Sequence, residues 1–419
     1  MIAGAFNAHG VELVWRALLL LALAGSVTSF IYLVMTAAAA ARHLRLARAA
    51  HTAAVSTPVS SLPPVTIFKP LHGMEEQLAQ NLESFFLQDY LDYEIIFGVR
   101  DVENPAARIA EEVRARYPQI PSRIIVSGPP EWPNAKVFSL DKMIAASSRA
   151  YFIISDSDVR VAPDFLRNTI PPLLDSKVGL ITCMYRGVPA ADSWSRLEAL
   201  GLSVEMSSGV MVADMVEGMR FALGPAMAVR RDAVDAIGGI AAVKDYYSDD
   251  FELGNRIWAK KYKVVLSHHI VENVLTPRSL LRTLGDQLRW MKSTRYSRPA
   301  GHAGTGLTYA MPFGVLGLIA GAALGHWSIG VGLFVLAVAN RMTQSVVVGW
   351  GVTRDSRSLA LCWLYPLRDL FGFVAWALSY TSRKFYWRGE MYRFGKGGTI
   401  APLQRPDSAS SISSFRISS

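Results

Sequence analysis

Two aspartates two residues apart, Asp156 and Asp158 in the stretch SDSD, follow directly on the apolar run YFIIS at 151–155. Carboxylates at that spacing at a strand end can meet around one hard divalent ion, Mg2+ or Mn2+, which then bridges a substrate diphosphate. The plainer alternative is a solvated acidic turn after a strand. Asp249 and Asp250, in YYSDDFELG, stand where a helix over FELGNRIWAKKY is predicted to begin. N-capping accounts for such a pair without chemistry; as a general base, one of them removes a proton from an acceptor hydroxyl. Asp101 closes YEIIFGVR, at a sheet edge where a ligand would sit. Lys136, in NAK at a helix start, is either a surface lysine or a positive charge for a nucleotide. Arg289, Lys292, Arg295 and Arg298 recur at helical spacing in DQLRWMKSTRYSR, with Trp290 beside them. An Arg there can hold a leaving diphosphate and a Trp can wall an acceptor site; a basic helix lying on a membrane is the alternative.

The elements that must position these residues alternate. Strands are predicted at VTIFK (65–69), YEIIFGVR (93–100), RIIVS (123–127), YFIIS (151–155), GLITCMY (179–185) and YKVVLS (262–267). Between them EEQLAQNLESFFLQ from Glu75, PAARIAEEVRARY from Pro105 and KVFSLDKMIAASS from Lys136 place apolar residues at helical spacing. Near-continuous apolar strands alternating with amphipathic helices imply an α/β domain with a mostly parallel sheet covered on both faces. In such a sheet the ligand site lies outside the carboxyl ends of the strands.

The 419 residues, 51% of them hydrophobic, with 43 aromatic side chains, exclude disorder as the main theme. Cys183 and Cys362 are too few for a disulfide scaffold. The formal charge of +9 is uneven: residues 51–300 carry −1 and the flanks +10. A nucleic-acid-binding protein would concentrate positive charge on its folded body, so nucleic acid is not an expected partner. The basic flanks coincide with long apolar runs. Between Arg16 and Arg42 lie 25 uncharged residues, more than the roughly 20 that cross a bilayer core, and Arg42, Arg45 and Arg48 follow as a stop-transfer flank. From Pro299 to Asn340 no charged residue occurs, room for two membrane segments with a turn near His326. A third apolar stretch, about 359–380, is interrupted by Arg368 and Asp369, which are expensive at membrane depth.

The expected organisation is an N-terminal anchor and basic flank (1–46), a linker (47–64), an α/β domain (65–300), C-terminal membrane segments (301–382) and a basic tail (383–419) whose Ser-rich end from Asp407 is disordered. The positive flanks put the 65–300 domain and the tail on the cytoplasmic side. Four crossings would separate them, so one C-terminal segment, the charged one, is expected not to cross.

In order along the chain, FKPLHGMEEQLAQNLESFFLQDYLDYEIIFGVRD (68–101), NAK (134–136), SDSDVRV (155–161), VRRDAVDAIGGI (229–240), SDDF (248–251) and RW (289–290) resemble the ceramide glucosyltransferase family, family 21 of the glycosyltransferases, family 2-like and of the GT-A fold. WRGEMYRFGKGGT (387–399) looks like that family's C-terminal stretch, so the resemblance covers most of residues 65–400. It implies a nucleotide-sugar transferase domain with Asp101 at the nucleotide, Asp156 and Asp158 at metal and diphosphate, and Asp250 as catalytic base with Asp249 where the family commonly has Glu. Arg289 and Trp290 end the family's (Q/R)xxRW element, but here the first position is Asp286 and Gln287 comes one place later.

The expectation is an inverting, metal-assisted transfer from a UDP-sugar to a membrane lipid hydroxyl, by a protein integral to a bacterial inner membrane. SDSDVRV and DQLRWMKSTR read closer to the branch that transfers N-acetylglucosamine to hopanoids such as bacteriohopanetetrol than to the branch that transfers glucose to ceramide. A small polysaccharide synthase would want more membrane helices for a channel. An inactive lipid-binding membrane protein would not need all three signature aspartates.

Overall fold

The computed structural model describes residues 2–73, 75–387 and 389–403; the Ser-rich end from Asp407 lies outside the described residues. Helix α1 (Ile2–Ser56) runs on through the first part of the stretch expected as linker, where alanines and arginines have high helix propensity. There follow β1 (Val65–Pro70), α2 (Leu78–Glu83), β2 (Tyr93–Val99), α3 (Pro105–Arg116), β3 (Ser122–Val126), α4 (Ala135–Ala145), β4 (Tyr151–Ser155) and β5 (Val159–Arg160). The chain continues through α5 (Phe165–Thr169), β6 (Val178–Val188), α6 (Ser193–Leu200), α7 (Ser207–Glu217), β7 (Ala226–Arg230), α8 (Arg231–Asp235), α9 (Asp249–Ala259), β8 (Lys263–Val274) and α10 (Leu280–Ser297).

The strands form one sheet in the order β3-β2-β1-β4-β7-β6-β8-β5. β3, β2, β1 and β4 pair in parallel, as do β6 and β8. All six expected strands form, with β6 and β8 longer than predicted. Two strands were not legible: β7 is antiparallel to both β4 and β6, and β5 is a two-residue partner of β8. β7 reads AMAVR, and alanine is depleted in strands, so local propensity does not announce it. Helix α2 starts later than the apolar periodicity predicts, because Gln77 before it takes a left-handed φ of 62°, and it ends at Glu83. Ile67, Phe68, Phe97, Phe152 and Ile153 are fully buried at the centre of this sheet. The result is the GT-A-like α/β domain, with the carboxyl ends of its parallel strands at one edge.

After α10 come α11 (Pro299–Thr305), α12 (Met311–Ala323), α13 (Trp327–Gln344), α14 (Ser356–Ala360) and α15 (Tyr365–Leu378), then β9 (Lys384–Trp387), β10 (Glu390–Phe394) and β11 (Ile400–Pro402). Helices α12 and α13 form the expected hairpin, turning at Gly325 (φ +75°) and His326, and pack along α1. Small residues bring them close: a Cβ on Gly321 would stand 2.8 Å from Gly330 Cα, and one on Gly25 would strike the Phe313 ring. Among the described residues, three helical stretches are long and apolar enough to cross a membrane: His9–Ala50, Ser193–Glu217 and Trp327–Trp350; Met311–Ala323 is a shorter apolar helix. Ser193–Glu217, which joins α6 to α7 through a π-helical turn, was not expected, because Glu198, Glu205 and Asp214 interrupt it in sequence. It leans on α1, where Arg42 pairs with Asp214 at 2.5 Å.

The charged C-terminal stretch is broken into α14 and α15. With 14 residues, α15 is about 21 Å long, short of the roughly 30 Å hydrocarbon core. Its two charges are satisfied inside the protein: Asp369 pairs with Arg341 at 3.1 Å and accepts the N–H groups of Ala310 and Met311, while Arg368 pairs with Glu205 at 3.0 Å. The three-stranded sheet β11-β10-β9 docks on the α/β domain. Ile400 N–H donates to Asp245 O at 2.8 Å, Tyr247 N–H to Gly398 O at 3.3 Å, and Thr399 bridges Tyr246. Residues 398–400 and 245–247 therefore lie on one side of any membrane these helices cross.

Candidate active site

At the end of β4 the backbone of Asp156 is fixed by its neighbours. Its N–H donates to Pro225 O at 3.2 Å, and its carbonyl accepts from Val159 N–H and from the ammonium of Lys69. Lys69 is fully buried in β1, 3.3 Å from Ser155 Oγ, with its charge over the Phe85 ring. Burial pulls its pKa down to about 7, against the carboxylates of Asp156 and Asp158. Asp158 is pinned from the other side by Val274 N–H on its carbonyl at 2.8 Å. Burial, then Asp156 and Glu75, push its carboxyl up to about 7, against the Asn273 side chain and Lys69. One of its oxygens, Oδ1, is buried with no hydrogen-bond partner.

The NAK motif joins this pair to the second one. Asn134 caps α4, its Oδ1 accepting from Lys136 N–H at 3.0 Å and Val137 N–H at 3.3 Å. Its amide nitrogen donates to Tyr246 O at 2.9 Å and to Asp249 Oδ1 at 3.2 Å. Lys136, thus aimed, lies 2.7 Å from Asp156 Oδ1 and 3.4 Å from Asp249 Oδ2 with its side chain 12% exposed, so it is not a surface lysine. Burial opposes its charge, but Asp156 and Asp249 outweigh that and its pKa is raised.

Asp249 and Asp250 are the first two residues of α9; Ser248 holds the cap position, its hydroxyl 2.5 Å from Ser293 Oγ. Burial, then the neighbouring Asp249, push the Asp250 carboxyl up to about 7, against Lys136. The Asp250 and Asp156 carboxylates converge over Gly224, in the loop between α7 and β7. A Cβ on that glycine would stand 3.0 Å from Asp250 Oδ2 and 3.5 Å from Asp156 Oδ2. Sequence reasoning passed over Gly224; its only signal is a glycine followed by proline ahead of a strand.

Helix α10 places Arg289 6.0 Å from the centre of the ring of Tyr247, two residues before Asp249, and 2.8 Å from Asp286 Oδ1. Trp290 is half-buried, packed against the main core. Lys292, Arg295 and Arg298 of this stretch are engaged by protein groups, while Arg282 in the first turn is exposed. Lys292 donates to Lys384 O at 2.7 Å, Arg295 to Ser379 O at 2.8 Å, and Arg298 pairs with Glu217. Gln287 is buried, donating to Glu198 Oε1 at 2.7 Å and accepting from Arg368 at 3.0 Å. Asp101 lies exposed just beyond β2, on the same carboxyl edge, and its side chain has no hydrogen bond or ion pair among the described residues.

Among the described residues no three His, Cys, Asp or Glu side chains gather where they could hold a metal ion. The carboxylates this edge offers are Asp156 and Asp158, the latter with a buried oxygen that has no hydrogen-bond partner. Oxygen donors of that kind would suit a hard divalent ion such as Mg2+ or Mn2+.

In this chain residues 22–400 match the Glycosyl transferase family 21 model. Ceramide glucosyltransferase 1 of Caenorhabditis elegans is 24% identical over 239 residues, 56% of this chain and 50% of that protein. Ceramide glucosyltransferase of Komagataella phaffii is 33% identical over 113 residues, 26% of this chain and 22% of that protein. The chain spans about half the length of the Caenorhabditis relatives it matches. Among solved structures, a mannosyltransferase from Pyrobaculum calidifontis in complex with GDP-Man and Mn2+ superposes with a TM-score of 0.47 at 15% identity, covering 84% of this chain and 99% of that one. The family match begins within α1, takes in the sheet, the paired aspartates and strands β9 and β10, and the chain belongs to Glycosyl transferase family 21.

Proposed function

We propose that this protein is a membrane-bound inverting glycosyltransferase that moves a sugar from a UDP-sugar to the hydroxyl of a membrane lipid. The observation that carries the reading is the convergence of Asp156, Asp249 and Asp250 around Lys136 at the carboxyl edge of the sheet. Asp250, a buried carboxyl poised near neutrality, takes the proton of the acceptor hydroxyl. The acceptor oxygen bonds to the anomeric carbon as the bond from that carbon to the UDP oxygen breaks on the opposite face, and UDP leaves with the electron pair. Lys136 holds Asp156 and Asp249 in place and keeps three neighbouring carboxylates from repelling one another. Arg289 holds the departing diphosphate, and Asp101 serves the nucleotide. Asp156 and Asp158 would hold a divalent ion, which would neutralise charge on that diphosphate.

A membrane lipid fits as acceptor because α1 and the α12–α13 hairpin tie the catalytic edge to a bilayer. We place the protein in a bacterial inner membrane with the catalytic domain facing the cytoplasm, on the strength of its basic flanks. Within that reading, transfer of N-acetylglucosamine to a hopanoid polyol is the first choice, resting on the SDSDVRV and DQLRWMKSTR text. Transfer of glucose to ceramide is the second, favoured by the names of the relatives. The test is to incubate full-length protein in lipid nanodiscs with radiolabelled UDP-N-acetylglucosamine or UDP-glucose and either lipid. The expected result is one labelled lipid; no labelled lipid with any donor would sink the proposal.

A further inference from the structure

Helix α10 carries an acid where an acid is unfavourable. Asp286 is 2.8 Å from Arg289, and in a site that must accept a diphosphate its charge opposes the ligand. The structure supplies the counterweight from another element. Arg278 pairs with the second oxygen of Asp286, so one carboxylate is shared between two guanidinium groups. All three side chains are largely buried, Arg278 at 11%, Asp286 at 20% and Arg289 at 19% exposure.

The position of Arg278 is fixed by the sheet. Its loop leaves β8 directly after Val274, whose N–H holds the carbonyl of Asp158, and its own N–H donates to Asp192 Oδ2 at 3.3 Å. It therefore enters from the carboxyl edge that bears the paired aspartates. Of the other acids near it, Asp192 accepts from its backbone N–H, and Glu198 is already engaged by Gln287, which in turn accepts from Arg368. The Nε groups of Arg278 and Arg289 are both buried without a partner.

Resting on the proposed function, we propose that Arg278 and Asp286 form a charge-compensated clamp that positions Arg289 for the diphosphate of the donor. Asp286 fixes the guanidinium of Arg289 in place, and Arg278 cancels the negative charge that this fixing introduces. Arg278 is a positioning residue, acting through Asp286. The three groups together carry one net positive charge. Loss of Arg278 reduces it to zero, and exchanging Asp286 for Gln as well restores it.

The test is a double-mutant cycle on UDP binding by the full-length protein in nanodiscs with Mg2+, read by titration calorimetry, with a thermal melt on every variant. Arg278→Gln is expected to weaken UDP about tenfold. Arg278→Lys, which keeps the charge, stays within about threefold of wild type, and so does Asp286→Gln, whose amide oxygen still accepts from Arg289 while the opposing charge is gone. The double variant Arg278→Gln with Asp286→Gln recovers to within about threefold of wild type, which a merely structural role for Arg278 does not allow. UDP affinity unchanged in Arg278→Gln, or a double variant no better than that single one, overturns the clamp. A wild type that binds no UDP overturns both the clamp and the proposed donor. A wild type that binds UDP but labels no lipid overturns the proposed function alone.

Discussion

Lys136 sets its ammonium 2.7 Å from the carboxylate of Asp156 and thereby ties the start of α4 to the end of β4. The same group reaches Asp249 at 3.4 Å, so a single buried cation serves both acidic pairs. Lys136→Met leaves those carboxylates without their shared counter-charge. Removing one partner of a buried pair costs about 3–5 kcal/mol, and the 35% exposure of Asp156 lowers this to about 1–3 kcal/mol here. The expected result is a lowered unfolding midpoint in a thermal melt and at least a tenfold fall in kcat/KM. An unchanged melt with full activity would show that Lys136 is not the link between the two pairs.

Asp250 acts as a base only when ionised, and its carboxyl is lifted from 3.8 to about 7. At pH 6 only about a tenth of it is ionised, so kcat/KM should fall about 25-fold from pH 7.5 to pH 5.5 and level off above pH 8. Asp250→Asn should abolish that limb and lower turnover by about 10²–10⁴-fold while UDP affinity is retained. A flat pH profile in the wild type would remove Asp250 from the role of base.

Gly224 leaves a methyl group little room beside Asp250. Gly224→Ala puts a Cβ 3.0 Å from Asp250 Oδ2, so that carboxylate must give by a few tenths of an ångström, while Asp156 at 3.5 Å stays in ordinary contact. The expected outcome is about a tenfold loss of kcat with a melt close to wild type, since a misplacement of well under 1 Å at the reacting groups matters more to rate than to stability. A normal kcat would place Gly224 outside the site.

Chelation is expected to stop transfer, and Mg2+ or Mn2+ to restore it. Asp158→Asn removes one of the two carboxylates offered to the ion and should raise the Mg2+ concentration needed for half-maximal rate by about tenfold or more. Full activity in excess chelator would rule out the metal-assisted form of the mechanism.

A compartment-sensitive reporter fused after Leu403 should read the same side as one inserted in the loop at Gly128, because the hydrogen bonds of residues 398–400 to residues 245–247 require it. Opposite readings would refute the docked C-terminal sheet. Agreement on the cytoplasmic side would also support the orientation taken from the basic flanks.

How much of this was legible varied with the range of the interaction. Six strands and the hairpin of α12 and α13 follow from local apolar patterning, and each appears where that patterning puts it. β7 does not, since AMAVR becomes a strand only because β4 and β6 flank it. Among the candidate residues, the order of motifs marked Asp156, Asp158, Asp249, Asp250 and Lys136, yet nothing local says that Lys136 bridges the two pairs. Asn134, Lys69 and Gly224 escaped for the same reason: their partners are distant in sequence. Asp286 stood out as a departure from a pattern, but its compensation by Arg278 is visible only once the loop after β8 is seen beside α10. Ser193–Glu217 was missed because its acids mask an apolar helix whose charges find partners in the fold, as Asp214 does with Arg42.

The docking of β9, β10 and β11 against Tyr246 and Tyr247 has a bearing on how the protein is made. On the ribosome, residues 245–250 emerge long before residues 384–402, and the hairpin of α12 and α13 is made in between. The loop that presents Asp249 and Asp250 thus meets its last supporting strands only when synthesis of that segment is almost done. A nascent chain halted before residue 384 would hold every one of these aspartates and still lack the strands that pack against their loop, so on the proposed function competence for transfer would arrive late in synthesis.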